Sequence, residues 1–349
     1  MDKVRNSNLE LYRIVCMLLI VAHHYVVASG LRSEIASSPE NFNSFFILSF
    51  GMWGKTGINC FLMITGYYMC KSTITIRKLV KLLLEIYIYK LCIYGIFLAS
   101  GYETTSPIRI MKLLMPVWDF NSNFVSCFIA FYLTIPFWNI LIQNMSRQQH
   151  KNLALLLLFL FSFLGSIPGF DISFNYISWF GIIYVISSFF RLYPSVLLEK
   201  KGLWAFSTLA LVIISTLINY YMYIIGWGGT SFVQDSNKIF AVLVAISSFL
   251  WFKNIKIKHS RIINLCGAST FGVLLIHTNS DAMRQWLWKD LLRCKDYYNF
   301  ASFELVWVSC LVVLCIFIVC VLIDQIRILI IERPFFNFYD KRISKKQAI

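Results

Sequence analysis

The chain has 349 residues, of which 58% are hydrophobic and 17% aromatic, against only 14% charged. Apolar runs near twenty residues recur along it, the length a helix needs to cross a bilayer core about 30 Å thick, which excludes a soluble globular enzyme and implies a polytopic membrane protein. A net charge of +15 would suggest nucleic acid in a soluble chain; here the question is on which side of the membrane the basic residues fall, and no nucleic-acid partner is expected.

The first apolar segment, residues 9–28, reads LELYRIVCMLLIVAHHYVVA and carries Arg13, His23 and His24. Ionisable groups inside a span are expensive and point to function. Arg13 and His24 are eleven residues apart, three helical turns plus roughly 20°, so they share one face with a rise of about 16 Å between them; His23 turns about 80° away. Two plainer readings stand beside this one. Arg13 can snorkel to the interface and pair with Glu10 one turn earlier, and His24 can be a buried hydrogen-bonding residue. Lys3 and Arg5 before the run and Val26 to Ala28 at its end also resemble a signal peptide, but an arginine and two histidines inside it argue against cleavage.

Ten spans are predicted: 9–28, 45–69, 79–99, 124–143, 152–167, 174–190, 203–225, 238–252, 262–280 and 305–331. With the N-terminus inside, 21 Lys and Arg fall on the cytoplasmic side and 9 outside, which places both termini in the cytoplasm. No interdomain linker is visible, and residues 1–349 read as a single integral-membrane domain, with 100–123 as the longest external stretch. The ten cysteines contain no CxxC, so neither a disulfide framework nor a metal site is indicated.

Further along, span two ends with CFLMITGYYM and is followed by Lys71, Arg77, Lys78 and Lys81. Four cations just inside the membrane suit a phosphate ligand, and equally suit anionic membrane lipids and the positive-inside rule. Lys90 within span three is expected to pair with Glu85 or to face a cavity. Span four holds Tyr132 and an interior proline, Pro136, which should kink the helix and free a carbonyl. GWGGT at 226–230 reads as an external turn. Span nine rises from the cytoplasm so that His277 lies about 22 Å along it, the depth of His24, with Asn279 and Asp281 just above. After span ten, Glu332, Arg333 and Pro334 fall at the cytoplasmic edge. Glu332 is there expected to meet Arg13, or to be an interfacial charge beside a helix-stopping proline.

In this order the landmarks resemble those of the membrane-bound acyltransferases of family 3, which O-acylate cell-envelope glycans. That family opens with an arginine, ten intervening residues and a histidine, similar to Arg13 and His24. Its second span closes on a phenylalanine-rich Ser-Gly-Tyr run, similar to Phe61 to Tyr67 with Thr65 in place of serine. A Ser/Thr-aromatic-Gly run closing on histidine resembles Thr270, Phe271, Gly272 and His277, and its C-terminal Glu-x-Pro resembles Glu332 and Pro334. Where many members have Arg-x-x-Arg and a proline, this chain has Lys78 and Lys81 and no proline.

The resemblance implies an all-α, multi-pass O-acyltransferase of a bacterial cytoplasmic membrane, with acetyl-CoA or another acyl-CoA as cytoplasmic co-substrate and a glycan or lipid-linked glycan as acceptor. In that reading His24 is the base, Arg13 and Glu332 complete the catalytic set, and Arg77, Lys78 and Lys81 hold the nucleotide phosphates. His277, Asn279 and Tyr132 bind the acceptor. Histidine suits the base because a neutral hydroxyl is a weak nucleophile near pH 7 and imidazole titrates near 6.5. The alternative from another class is a non-enzymatic carrier of lipid-linked glycan or acyl groups across the membrane.

Overall fold

The computed structural model describes residues 6–115, 117–120, 123–170, 172, 174–226 and 235–347, with side chains up to Lys341. The GWGGT turn, apart from Gly226, lies outside the described residues, as do Lys3 and Arg5. Among those described there is no strand, and the fold is all-helical. The principal helices are α1 (Ser7–Ala28), α2 (Phe42–Met69, interrupted at Met52 and Trp53), α3 (Ile76–Ala99) and α4 (Pro107–Leu114). Then follow α5 (Phe124–Gln143), α6 (Arg147–Leu157), α7 (Tyr176–Leu192), α8 (Lys201–Ile224) and α9 (Ile239–Lys253). Last come α10 (Arg261–His277), α11 (Asp281–Leu291) and α12 (Ser302–Arg327).

Each of the ten predicted spans coincides with helix. Six helices are long and apolar enough to cross a membrane alone, namely α1, α2, α3, α5, α8 and the continuous stretch Ser302–Lys341, and the pair α10 and α11, bent by 95°, brings the number to seven. α7 and α9 are apolar but shorter. The sequence places the helix starts: Thr75, Asn123, Asn175 and Ser260 each accept a hydrogen bond from a backbone N–H three residues on, and Ser146 with Gln149 forms a reciprocal capping box, which supplies donors' partners that a helix start otherwise lacks. α5 runs as one helix through Pro136.

α1 lies at the centre of the bundle, and glycines set how close its neighbours come. Gly51, Gly54 and Gly57 recur every third residue along α2. A Cβ at Gly51 would stand 2.6 Å from Val26 Cβ, one at Gly57 would stand 2.9 Å from Ile20 Cγ1, and one at Gly54 would run into the His23 ring. In lipid, where no hydrophobic force draws helices together, such close approach is what yields packing energy. Gly272 on α10 faces Asp324 of α12 in the same way, and a Cβ at Gly267 would meet Glu10 of α1 at 2.5 Å from Oε2.

The stretch 100–123 is not a simple external loop. α4 folds back along α3, and its last carbonyls are received by side chains from the middle of that helix: Lys90 Nζ donates to Lys112 O at 2.5 Å and Met115 O at 2.9 Å, and the Tyr87 hydroxyl donates to Leu114 O at 2.7 Å. Lys90 is nine residues before Ala99, so the end of α4 sits about 14 Å down α3. Lys90 therefore caps α4 rather than pairing with Glu85. Free helix-terminal carbonyls at that depth would lack partners, and an ammonium satisfies them while meeting the negative end of the helix dipole. Ile108, Ile110, Met111 and Leu114 of α4 remain exposed outward.

The glycine contacts predict that Gly54→Ala and Gly57→Ala each lower stability by about 1–3 kcal/mol, the usual cost of overpacking. Gly95→Ala, where a Cβ would meet nothing within 4 Å, should leave the thermal midpoint of the purified protein unchanged.

Candidate active site

A cavity of about 260 Å³ opens beside the upper half of α1. His23 and His24 of α1 form one wall, Gly54, Lys55 and Ile58 of α2 another, and Ile86 and Lys90 of α3 a third. α5 contributes Ser126 and Phe128, α10 contributes Phe271 and Leu275, and Thr278, Asn279 and Arg284 close the rim.

Both histidines that face it are oriented from behind. His277 is fully buried; its Nδ1 lies 2.6 Å from Val273 O and its Nε2 lies 3.2 Å from His24 Nδ1. A carbonyl can only accept, so His277 Nδ1 carries the proton, and in the neutral ring its Nε2 offers a lone pair. His24 Nδ1 must then be the donor to it, which leaves a lone pair on Nε2 of a ring that lines the cavity. His23 Nδ1 donates in the same manner to Gly51 O at 2.8 Å. The 80° offset read from the sequence does not remove His23 from the site, because the α2 glycines admit its ring beside the cavity.

Of the other expected residues, one reaches the cavity and the rest fall elsewhere. Asn279 lines the cavity while its amide donates to Leu275 O at 3.1 Å. His277 has no surface there and touches the site only through His24. Tyr132 is buried in the core against Phe128, with ring centroids 6.3 Å apart, and is not among the lining residues. Arg13 does not meet Glu332. Its Nη1 lies 3.7 Å from Glu10 Oε1, the one-turn pairing that helical spacing favours.

Glu332 belongs to a different cluster, which the sequence reading missed. Arg327 of α12 bonds three carboxylates: Nε to Asp324 Oδ1 at 2.9 Å, Nη1 to Glu332 Oε2 at 2.7 Å, and Nη2 near Glu85 Oε1 at 3.4 Å. Tyr89 donates to Asp324 at 2.7 Å, and Lys81 pairs with Glu332. Arg327 and Glu332 are five residues apart, which an α-helix would rotate about 140° from each other. Residues Ile328–Glu332 form a π-helical turn instead, whose wider winding stacks i on i+5. The helix does not stop at Pro334 but continues from Arg333 to Gln347; proline needs no N–H partner in the first turn of a new helix.

The three cations expected at the donor phosphates are individually engaged. Arg77 forms a two-pronged bond to Asp340, with Nε at 3.0 Å and Nη2 at 3.1 Å. Lys78 donates to Ser72 Oγ at 2.8 Å and Thr73 O at 2.7 Å, while Lys81 reaches Glu332. All three are solvent-exposed on their free sides. Among the described residues no group of three or more His, Cys, Asp or Glu is placed to hold a metal ion, and every cysteine is a free thiol.

The fold is thus a bundle of apolar helices around a histidine-lined cavity. The profile of an acyltransferase domain, that of the acyltransferase 3 family, matches residues 6–325, nearly the whole chain, and the chain belongs to that family. It is a multi-pass membrane acyltransferase. No curated protein and no solved structure matches it.

Because Arg327 pairs with both buried Asp324 and buried Glu85, Arg327→Gln should destabilise the protein by about 3–5 kcal/mol, the cost of stranding buried charge. Lys81→Gln should cost under about 1 kcal/mol, since that side chain is 47% exposed. With Arg13 and Glu332 in separate clusters, Arg13→Gln and Glu332→Gln should add in thermal unfolding within about 0.5 kcal/mol.

Proposed function

We propose that the chain transfers an acyl group, acetyl in the simplest case, from cytoplasmic acyl-CoA to a hydroxyl of a cell-envelope glycan or its lipid-linked precursor. The observation that carries this reading is the cavity wall at His24, whose hydrogen bond to His277 leaves an imidazole lone pair where a hydroxyl can approach. His24 Nε2 takes the acceptor's hydroxyl proton as the oxygen attacks the thioester carbonyl. The carbon–sulfur bond then breaks, and the imidazolium returns the proton to the leaving thiolate. His277 positions His24 rather than binding the acceptor: an acceptor at His24 Nδ1 keeps the ring in the productive tautomer and disperses the charge gained in the transition state.

Donor phosphates stay near the cytoplasmic face in this reading, at Arg77, Lys78 and Lys81, because phosphates cannot cheaply enter the core. The acyl-bearing arm extends past Arg13 toward the cavity. Asn279 is the acceptor-side group, and Glu332 acts on the fold through Arg327. Ten crossings with both termini inside a bacterial cytoplasmic membrane fit the distribution of basic residues.

Base-labile ester on the envelope glycan of cells carrying each variant tests the chemistry. His24→Ala should lose ester by at least about 100-fold, while His23→Ala keeps most of it; the reverse order would move the base to His23. His277→Phe, which fills the space without accepting a hydrogen bond, should lower transfer about tenfold or more and leave acetyl-CoA binding intact. Impermeant thiol labelling should reach a cysteine placed near Asp119 and miss one appended after Ile349, and labelling at Ile349 would overturn the donor route.

A further inference from the structure

The charge of the cavity wall says what kind of acceptor it takes. Lys55, Lys90 and Arg284 all line it, and no aspartate or glutamate does. Arg284 is partly balanced at the rim by Asp281. The two lysines have only neutral partners: Lys55 donates to the Tyr176 hydroxyl and lies 5.0 Å from the centre of that ring, and Lys90 holds the α4 carbonyls. Among the described residues neither lysine has a carboxylate within ion-pair distance. An ammonium has three donors, so Lys55 keeps two and Lys90 one that the protein leaves open.

Arg327 is surrounded by three carboxylates, whereas the two cavity lysines meet none. Two like charges on one partly dry cavity are costly. The cost is offset when an anion enters, since a charge-assisted bond to carboxylate or phosphate is roughly twice as strong as a neutral one. Asn123, Ser126, Thr278 and Asn279 add neutral donors and acceptors suited to sugar hydroxyls.

We infer that the acceptor is an acidic glycan, presenting a carboxylate or a phosphate to Lys55 and Lys90 while a neighbouring hydroxyl faces His24. The inference rests on the acyl-transfer reading for the hydroxyl, but the charge preference itself is a property of the cavity and is read by binding alone.

The test uses the purified full-length protein in detergent micelles, with glucuronate and glucose 1-phosphate as acidic probes and glucose as the neutral one. At least one acidic probe should bind ten or more times more tightly than glucose, and the preference should shrink as salt rises. Which probe wins distinguishes a uronic-type carboxylate from a sugar phosphate. Lys55→Met should reduce the preference to under threefold; Lys90→Met should do the same if α4 stays folded without its cap, and Lys55→Met decides the matter if it does not. Equal binding of acidic and neutral probes would overturn the inference, as would a preference that survives Lys55→Met. So would displacement of the acidic probe by adenosine 3′,5′-bisphosphate, which would give the cations to the donor's phosphates. His24→Ala separates the two claims: it should retain the charge preference while losing transfer, and transfer that persists in it would count against His24 as base without touching the acceptor's charge.

Discussion

The hydrogen bond between His24 Nδ1 and His277 Nε2, 3.2 Å long, joins the central helix α1 to α10 at the one depth where both carry an imidazole. Its direction is fixed from behind, because Val273 O can only accept from His277. A backbone carbonyl thus decides the protonation state of the ring on the cavity wall two residues away in the chain of contacts. The small residues exist in part to make this approach possible: without Gly54 the His23 ring could not lie beside α2, and without Gly272 α12 could not pack its Asp324 against α10. Close packing and catalytic orientation are the same feature of the structure seen at two scales.

A second constraint governs the lower end of the bundle. Inside apolar helices every charge needs an opposite charge or a dipole, and Arg327 gathers Asp324, Glu85 and Glu332 from three places in the chain. The π-helical turn at Ile328–Glu332 is the backbone's accommodation to that demand, as π-turns often are at functional positions. Lys90 meets the same demand with the carbonyl end of α4 instead of a carboxylate. That choice leaves a cation without a carboxylate at the cavity, where Lys90 and Lys55 become a recognition element.

Much of this was legible in the sequence and the rest was not, for identifiable reasons. Apolar length set out stretches that all fall on helix, and the spacing from Arg13 to His24, together with the position of His277, brought the two histidines to one level. Periodicity could not reveal that Glu332 turns toward Arg327, because that pairing needs a π-turn, bonded i to i+5, where the pattern assumes an α-helix bonded i to i+4. Hydropathy could not distinguish an external loop from the returning helix α4, since PIRIMKLL is short, amphipathic and flanked by turn residues in either case. Helix geometry turns His23 away from His24 on α1, but whether that side is lined by a neighbour or by a cavity depends on Gly54, on the next long helix. Tyr132 was expected at the site because Pro136 could open a cavity beside it, but α5 runs through Pro136 as one helix and Tyr132 packs against Phe128 in the core.

The account turns on the tautomer of His24. Nitrogen-15 NMR of histidine-labelled protein, with His24→Ala and His277→Phe preparations to assign the signals, reads it directly at neutral pH. The structure requires a neutral His24 ring with the proton on Nδ1 and a bare Nε2, with the Nδ1 signal shifting when His277 is replaced by phenylalanine. A His24 ring protonated at Nε2, or one whose signals do not change when His277 is lost, would contradict it.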